Sequence, residues 1–157
     1  MDSRAVTLSP ALRPGSVPCK LGWTSTARGL GGHHWLTPNV ANVAESTNVA
    51  IWRPQIPREG RYQVFAYVPL HSARVPWQCG GVTASNDTHN ALYVIQHRDG
   101  MSQVSIDQAP LNNVWADLGT YNFGAGSGGA VSLSDLTGEP SNTYWVDIDE
   151  LKFVPVP

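Results

Sequence analysis

Three acidic residues stand close together near the end of the chain: Asp147, Asp149 and Glu150. Carboxylate oxygens at that density are the ligands a calcium ion takes. They are also the groups a glycosidase uses as acid and base. Asp147 and Asp149 alternate by two in a run that reads as a strand. That places them on one face about 7 Å apart, within the glycosidase range. A plainer role competes with both: Asp149 accepts backbone hydrogen bonds and holds the final strand in place. The one cofactor these residues leave open is a structural calcium ion at Asp147, Asp149 and Glu150.

The other reactive types are spaced less suggestively. His33, His34, His71, His89 and His97 contain no H-E-x-x-H or similar metal-binding spacing. His33 and His34 are adjacent, so in a strand they point to opposite sides. Ser127 sits in a glycine run and not in a G-x-S-x-G elbow. Gly124, Gly126 and Gly129 match G-x-G-x-x-G, but a nucleotide site needs a helix next, and Val131-Ser132-Leu133 reads as a strand. These glycines are expected to form a turn.

Aromatic rings are the informative excess, with 6 tryptophans and 5 tyrosines. Trp35 and Trp77 fall in stretches that read as loops, beside glycines. Tyr144 and Trp145 open the last strand, so one of the two faces outward. An exposed ring offers a flat apolar face with a polar tip, which suits the C–H face of a sugar. Trp35, with Trp77 or Tyr144 as second contact and His33 and His34 as donors, is the expected carbohydrate-binding set. The competing expectation is that these rings cap the ends of the fold.

Cys19 and Cys79 are the whole thiol inventory. They are expected to form a disulfide, since the composition looks extracellular, although two buried thiols are the alternative. Closing a loop of that length contributes about 4 kcal/mol in the chain-entropy model.

The elements that must position these residues are strands. The 157 residues make one domain's worth of chain, with charged residues at 14% and 15 glycines and 12 prolines. Valine (16) and threonine (10) far outnumber lysine (2). β-Branched residues suit a pleated surface, and glycine and proline punctuate it. A helical bundle is excluded. The net charge of −2 comes without a basic stripe, which argues against nucleic-acid binding. No apolar run is long enough to span a membrane, and residues 1–18 lack an apolar signal-peptide core.

Residues 1–18, with Pro10, Pro14 and Pro18, read as a linker or extended lead-in, and 19–157 as a single domain. Residues 28–35 read as a glycine-rich loop and 70–90 as a long loop. Residues 61–68 read as a strong strand, with Tyr62, Val64, Ala66 and Val68 on one face. Asp99-Gly100, between the alternating runs 91–97 and 102–107, is a hairpin signal. In the last strand Val146 and Ile148 share a face, while Leu151 and Phe153 fall out of phase, so a β-bulge is expected near Asp149-Glu150. The total is about eight strands with little helix and no βαβ alternation, as in a β-sandwich or jelly roll.

Several segments, in unbroken order from Trp23 to Val154, resemble a known family. Ile51-Trp52-Arg53-Pro54 and Gly60-Arg61-Tyr62-Gln63-Val64 resemble the W-x-P…G-x-Y-x-V segment of golvesin/xanthan-lyase carbohydrate-binding-like domains. Tyr93-Val94-Ile95-Gln96-His97…Gly100 is similar to that family's Y-x-V-x-H…G hairpin. Ile106-Asp107-Gln108, Trp115, Leu118-Gly119-Thr120-Tyr121 and Phe123 resemble its V-x-Q…W…L-G-T-Y-x-F run. Val131-Ser132-Leu133-Ser134-Asp135 and Asp149-Glu150-Leu151-Lys152-Phe153 are similar to its ending. The chain departs at the long 70–90 loop, and at Ile148 and Glu150 where the family favours alanine.

The resemblance implies an all-β jelly-roll sandwich of antiparallel strands, galactose-binding-domain-like, appended to extracellular bacterial enzymes or adhesins. It places Trp23, Trp52 and Trp115 in the core. It also makes the sequon Asn86-Asp87-Thr88 idle, although the sequon still marks an exposed loop. The function expected is a non-catalytic carbohydrate-binding or adhesive module, extracellular or at the cell surface, with a polysaccharide or cell-surface glycan as partner. The alternative is a structural spacer or protein-interaction domain that binds no sugar. A stand-alone hydrolase would need Asp147 and Asp149 to converge in a cleft.

Overall fold

The computed structural model describes residues 2–3, 6–9, 23–70, 77–79, 82–84 and 86–157, with side chains placed at 7–8, 23–70 and 86–157. Among the described residues, fifteen strands and one short 3-10 turn account for the regular structure. In chain order they are β1 (Asp2–Ser3), β2 (Val6–Ser9), β3 (Thr24–Thr26), β4 (His34–Pro38), β5 (Val49–Trp52), β6 (Gly60–Val68), β7 (Trp77–Cys79) and β8 (Val82–Ala84). Then follow β9 (Asn86–Asp87), β10 (Ala91–His97), β11 (Gly100–Ile106), β12 (Val114–Phe123), β13 (Ala130–Ser134), β14 (Tyr144–Ile148) and β15 (Leu151–Pro155). The excess over eight comes from short edge strands and from loops that pair locally.

Three sheets build the sandwich. One runs β1-β15-β6-β12, a second β11-β10-β13-β5-β2, and a third β3-β4-β14-β9; β7 and β8 pair with each other. All pairs are antiparallel except β9 with β14. Alternation drives the layering. In β6, Tyr62, Val64, Ala66 and Val68 are buried, while Gln63, Phe65 and Tyr67 stay partly exposed. From the second sheet, Ala50, Trp52, Tyr93, Ile95, Val131 and Leu133 meet Tyr62, Val64 and Ala66 in one core. Val146, Ile148, Leu151 and Phe153 complete that core. Burial of such side chains is worth roughly 1.5–3 kcal/mol each.

Several expectations need correcting. The first strands, β1 and β2, pair with β15 and β5, so this part of the expected lead-in extends the sheets and does not stand apart from them. Residues 10–22 lie outside the described residues. The 28–35 loop is shorter than expected, since β4 takes in Trp35. The 70–90 stretch contains β7, β8 and β9. The hairpin of β10 and β11 forms, but Arg98 and Asp99 are its loop residues, since His97 pairs with Gly100. The phase change near Asp149-Glu150 is not a bulge. The chain leaves the third sheet at Ile148 and enters the first at Leu151. Crossing between sheets lets all four apolar side chains reach one core without an extra residue in a single ladder. A register shift falls instead in β12, between Asp117 and Gly119.

Trp23 and Trp52 are buried as expected. Trp115 is not in the core. It is only partly buried and sits opposite Tyr67 on the outward face of the first sheet.

Candidate functional site

The crossing between β14 and β15 carries the three acids into the interior. Asp147 is fully buried, and Asp149 and Glu150 are 4% and 5% exposed. β4 lies beside β14, with Leu36 opposite Asp147 and Trp35 opposite Ile148. His34, one step earlier in β4, is therefore brought to Asp147: its Nε2 is 3.5 Å from Asp147 Oδ1, and neither side chain meets solvent. His34 Nδ1 donates to the carbonyl of Arg28 at 3.0 Å. A carbonyl only accepts, so that nitrogen carries hydrogen, and the ring turns its second nitrogen to the carboxylate. Burial holds the His34 pKa below its usual value, against the raising effect of the Arg28 carbonyl and of Asp149.

Asp149 fixes the loop above this pair. Its Oδ2 accepts the backbone N–H of Leu30 at 2.8 Å. Gly29, with φ at +97°, permits that approach: a Cβ there would fall 2.5 Å from Asp149 Oδ2. Burial pushes the Asp149 pKa up to about 6, while the Leu30 N–H and His34 pull it down. The backbone of the crossing is held too. The Asp149 carbonyl accepts from Trp52 Nε1 at 3.2 Å, and that of Glu150 from the Tyr67 N–H at 2.9 Å. Gln108 clamps Asp147 from the far side. Its Nε2 donates to the Asp147 carbonyl at 2.8 Å, and its Oε1 accepts the Asp147 N–H at 3.1 Å.

These contacts bear on the chemistries open to the acids. Among the described residues, no three of His, Cys, Asp and Glu converge to hold a metal ion. Asp147 and Asp149 do not line an open cleft: they are buried against His34 and the Leu30 amide. The structural role expected of Asp149 is the one its Leu30 contact supplies.

Among the described residues, the expected sugar-binding side chains do not gather in one place. His33 is exposed and meets Trp35 edge-on, with ring centroids 4.8 Å apart. Trp35 itself packs partly against the core. Its Nε1 is buried, without a hydrogen-bond partner among the described residues. His34 turns inward and has no access to an external ligand, because alternation along β4 sends it to the side opposite His33. Tyr144 is partly exposed and meets exposed His89 edge-on at 5.5 Å, while its neighbour Trp145 is the buried member of the pair. The Trp77 side chain lies outside the described residues. So do the Cys79 side chain and all of Cys19, and with them the expected disulfide.

A second aromatic group was not expected from the sequence. On the outward face of the first sheet, Tyr67 of β6 stands opposite Trp115 of β12, and Phe65 stands opposite both Asp117 of β12 and Lys152 of β15. The Tyr67 and Trp115 centroids are 5.2 Å apart, with planes at 65°. Lys152 Nζ lies 4.3 Å from the centroid of Trp115 and 4.9 Å from that of Phe65. Period-two alternation in residues 61–68 could have flagged Phe65 and Tyr67, since they fall on the face opposite Val64 and Ala66.

A cleft of about 360 Å³ also opens between loops near Glu45, Asn48, Asp135 and Ser141. Its polar groups serve one another. Asp135 accepts from the Ser46 hydroxyl and from the Thr47 and Asn48 amides, and Ser141 donates to Glu45.

Fold and contacts together define a β-sandwich domain in which Asp147, Asp149 and Glu150 are buried and several rings, Tyr67, Trp115 and Tyr144 among them, are partly exposed. The chain belongs to the golvesin C-terminal domain family, which matches residues 16–155. It is similar to xanthan lyase of Bacillus sp. (strain GL1), at 32% identity over 117 residues, which is 73% of this chain and 11% of that protein. It is also similar to the solved structure of Paenibacillus xanthan lyase, with a TM-score of 0.68 at 26% identity, over 97% of this chain and 12% of that one. The chain thus spans about a ninth of the relatives it matches.

Proposed function

We propose that this chain is a non-catalytic accessory module of a larger extracellular bacterial protein that acts on or adheres to polysaccharide, and that the module itself holds glycan. The observation that carries this reading is the match over 97% of this chain to 12% of a xanthan lyase. A segment of that proportion is an appended domain by size. The inward placement of Asp147, Asp149 and Glu150 supports a role without catalysis. The partly exposed rings support sugar contact, at His33 beside Trp35 and at Tyr144 beside His89. Trp77, and a Cys19–Cys79 disulfide pinning its loop, belong to the same reading.

The test is retention of the domain on immobilised xanthan and other polysaccharides, with Trp35→Ala compared to the parent chain. Loss of retention with little change in melting temperature supports glycan stacking at Trp35. A structural spacer is the second reading. It is favoured by the packing of Trp35 on the core and the burial of its Nε1. On that reading Trp35→Ala costs about 3–5 kcal/mol of stability, and the parent chain is not retained on any polysaccharide.

A further inference from the structure

We propose that the cleft between the 39–48 and 135–142 segments is a sugar subsite, which takes one neutral sugar residue, at a chain end or branch, through Glu45, Thr47 and Asn142. The inference rests on the glycan-holding reading above and names a site and a ligand class that the reading does not.

The walls of the cleft are fixed before any ligand arrives. Asn39 is fully buried, and its side chain ties one wall together. Its Oδ1 accepts the Thr143 and Tyr144 amides at 3.0 and 2.9 Å, and its Nδ2 donates to Thr137 Oγ1 at 2.9 Å. The Asn39 carbonyl accepts the Asn142 N–H at 2.9 Å, where Asn142 sits at φ +62°. Asp135, 1% exposed, ties the other wall by accepting from the Ser46 hydroxyl and the Thr47 and Asn48 amides. The fold thus commits two buried polar side chains to holding surface loops. A cleft held in this way loses little freedom when it binds.

These bonds leave polar groups over, and they line the cleft. The Asn142 side-chain amide makes no hydrogen bond among the described residues. Thr47 is exposed, and its hydroxyl has only a long contact to Asn48 Oδ1, at 3.4 Å. Glu45 is exposed and accepts from Ser141, which leaves lone pairs open on a group that has about four sites. The Ser141 hydroxyl, and after it Asn42, hold the Glu45 carboxyl below its usual range, so at neutral pH it is charged and only accepts. An amide, a hydroxyl and a carboxylate together serve neighbouring sugar hydroxyls, which both donate and accept. Pro38 and Val40 give the same cleft an apolar side for the C–H groups.

Charge and size narrow the ligand. Among the described residues no lysine, arginine or histidine lines the cleft, whereas Glu45 and Asp135 both do. A sugar acid would meet like charge without a cation to offset it. An amino sugar would be drawn to Glu45, but that carboxylate is exposed, where water and salt weaken the attraction. The volume of about 360 Å³ is at the low end for ligand sites, roughly 300–1,000 Å³. It suits a terminal or branch residue better than a length of passing chain.

The experiment is titration of the parent chain, Asn142→Gly and Glu45→Gln with free glucose, mannose and galactose, followed by amide NMR. Glucuronate and glucosamine are the charged comparisons. Glycine keeps the positive φ at 142 while removing the side chain, and thermal melts check that both variants fold. At least one neutral sugar is expected to shift the Thr47, Ser141 and Asn142 amides of the parent. Each variant should weaken that binding by about fivefold or more. If one variant fails to fold, the other decides. Equal or tighter binding of glucuronate or glucosamine overturns the neutral class. Shifts that spare these amides, or that persist unweakened in the variants, overturn the cleft. The glycan reading is checked separately by retention of the parent on immobilised polysaccharide. Retention without cleft shifts overturns this subsite and leaves that reading standing, and absence of both overturns both.

Discussion

His34 Nε2 faces Asp147 Oδ1 across 3.5 Å in the interior, with both side chains closed to solvent. Because His34 Nδ1 is committed to the Arg28 carbonyl, the pair is stable only with a proton on the imidazole Nε2 or on the carboxyl. The contact joins β4 to β14 through side chains where their ladder already joins them through backbone.

Removing one partner leaves the other buried without this contact. His34→Leu and Asp147→Leu should each cost about 3 kcal/mol or more. The double variant should cost less than the two singles together, by about 1–3 kcal/mol. Urea unfolding of the four proteins measures the cycle. Additivity to within about 0.5 kcal/mol would mean the pair is not coupled.

Asp149 and His34 give opposite pH dependences. Burial raises Asp149 to about 6 from an ordinary 3.8, so the native state keeps a proton that the unfolded chain releases. Stability from this group is highest below about pH 4 and falls as pH rises through 6. His34 is lowered below 6.5, so the unfolded chain takes up a proton first and stability falls as pH drops below that value. In Asp149→Asn the first effect is absent, while an amide oxygen still accepts from Leu30. Its melting temperature relative to the parent should climb between pH 4 and pH 7. A difference that does not change with pH would sink this account.

Gly29 is predicted to tolerate no side chain. Its φ of +97° is a glycine conformation, and a Cβ would lie 2.5 Å from Asp149 Oδ2 and 2.9 Å from the His33 carbonyl. Gly29→Ala should cost about 3 kcal/mol or more. Gly32, with φ at +84° but nothing within 4 Å of its Cβ, separates backbone strain from collision. Gly32→Ala should cost clearly less in the same thermal melts. Equal costs would show that the Asp149 contact does not constrain the loop.

Cys19 and Cys79 are expected to be joined to each other in a disulfide. Mass spectrometry after alkylation without reductant should find neither thiol labelled. Reduction should lower stability by up to about 4 kcal/mol. Two labelled thiols would refute the bridge.

Much of the fold was legible from local pattern. Alternation in residues 61–68 and 91–97 reports burial on one face directly, because successive strand residues point to opposite sides. The Tyr62/Val64/Ala66/Val68 face and the β10–β11 hairpin follow from it. So does the opposition of His33 and His34, whose sides the structure then assigned as out and in. What local pattern cannot supply is which strand lies beside which. Trp115 reads as core because it falls in a strand pattern that resembles the family's. It lies outside because the shift at Gly119 sets it opposite Tyr67. The phase change at Asp149-Glu150 is visible in sequence, but a bulge and a crossing between sheets produce the same phase, and only the partners of β14 and β15 tell them apart. The same crossing turns Asp147 and Asp149 from a spaced acid pair into buried supports. Their distance along the chain was never in doubt, whereas their access to solvent was set by strands more than a hundred residues away, β3 and β4.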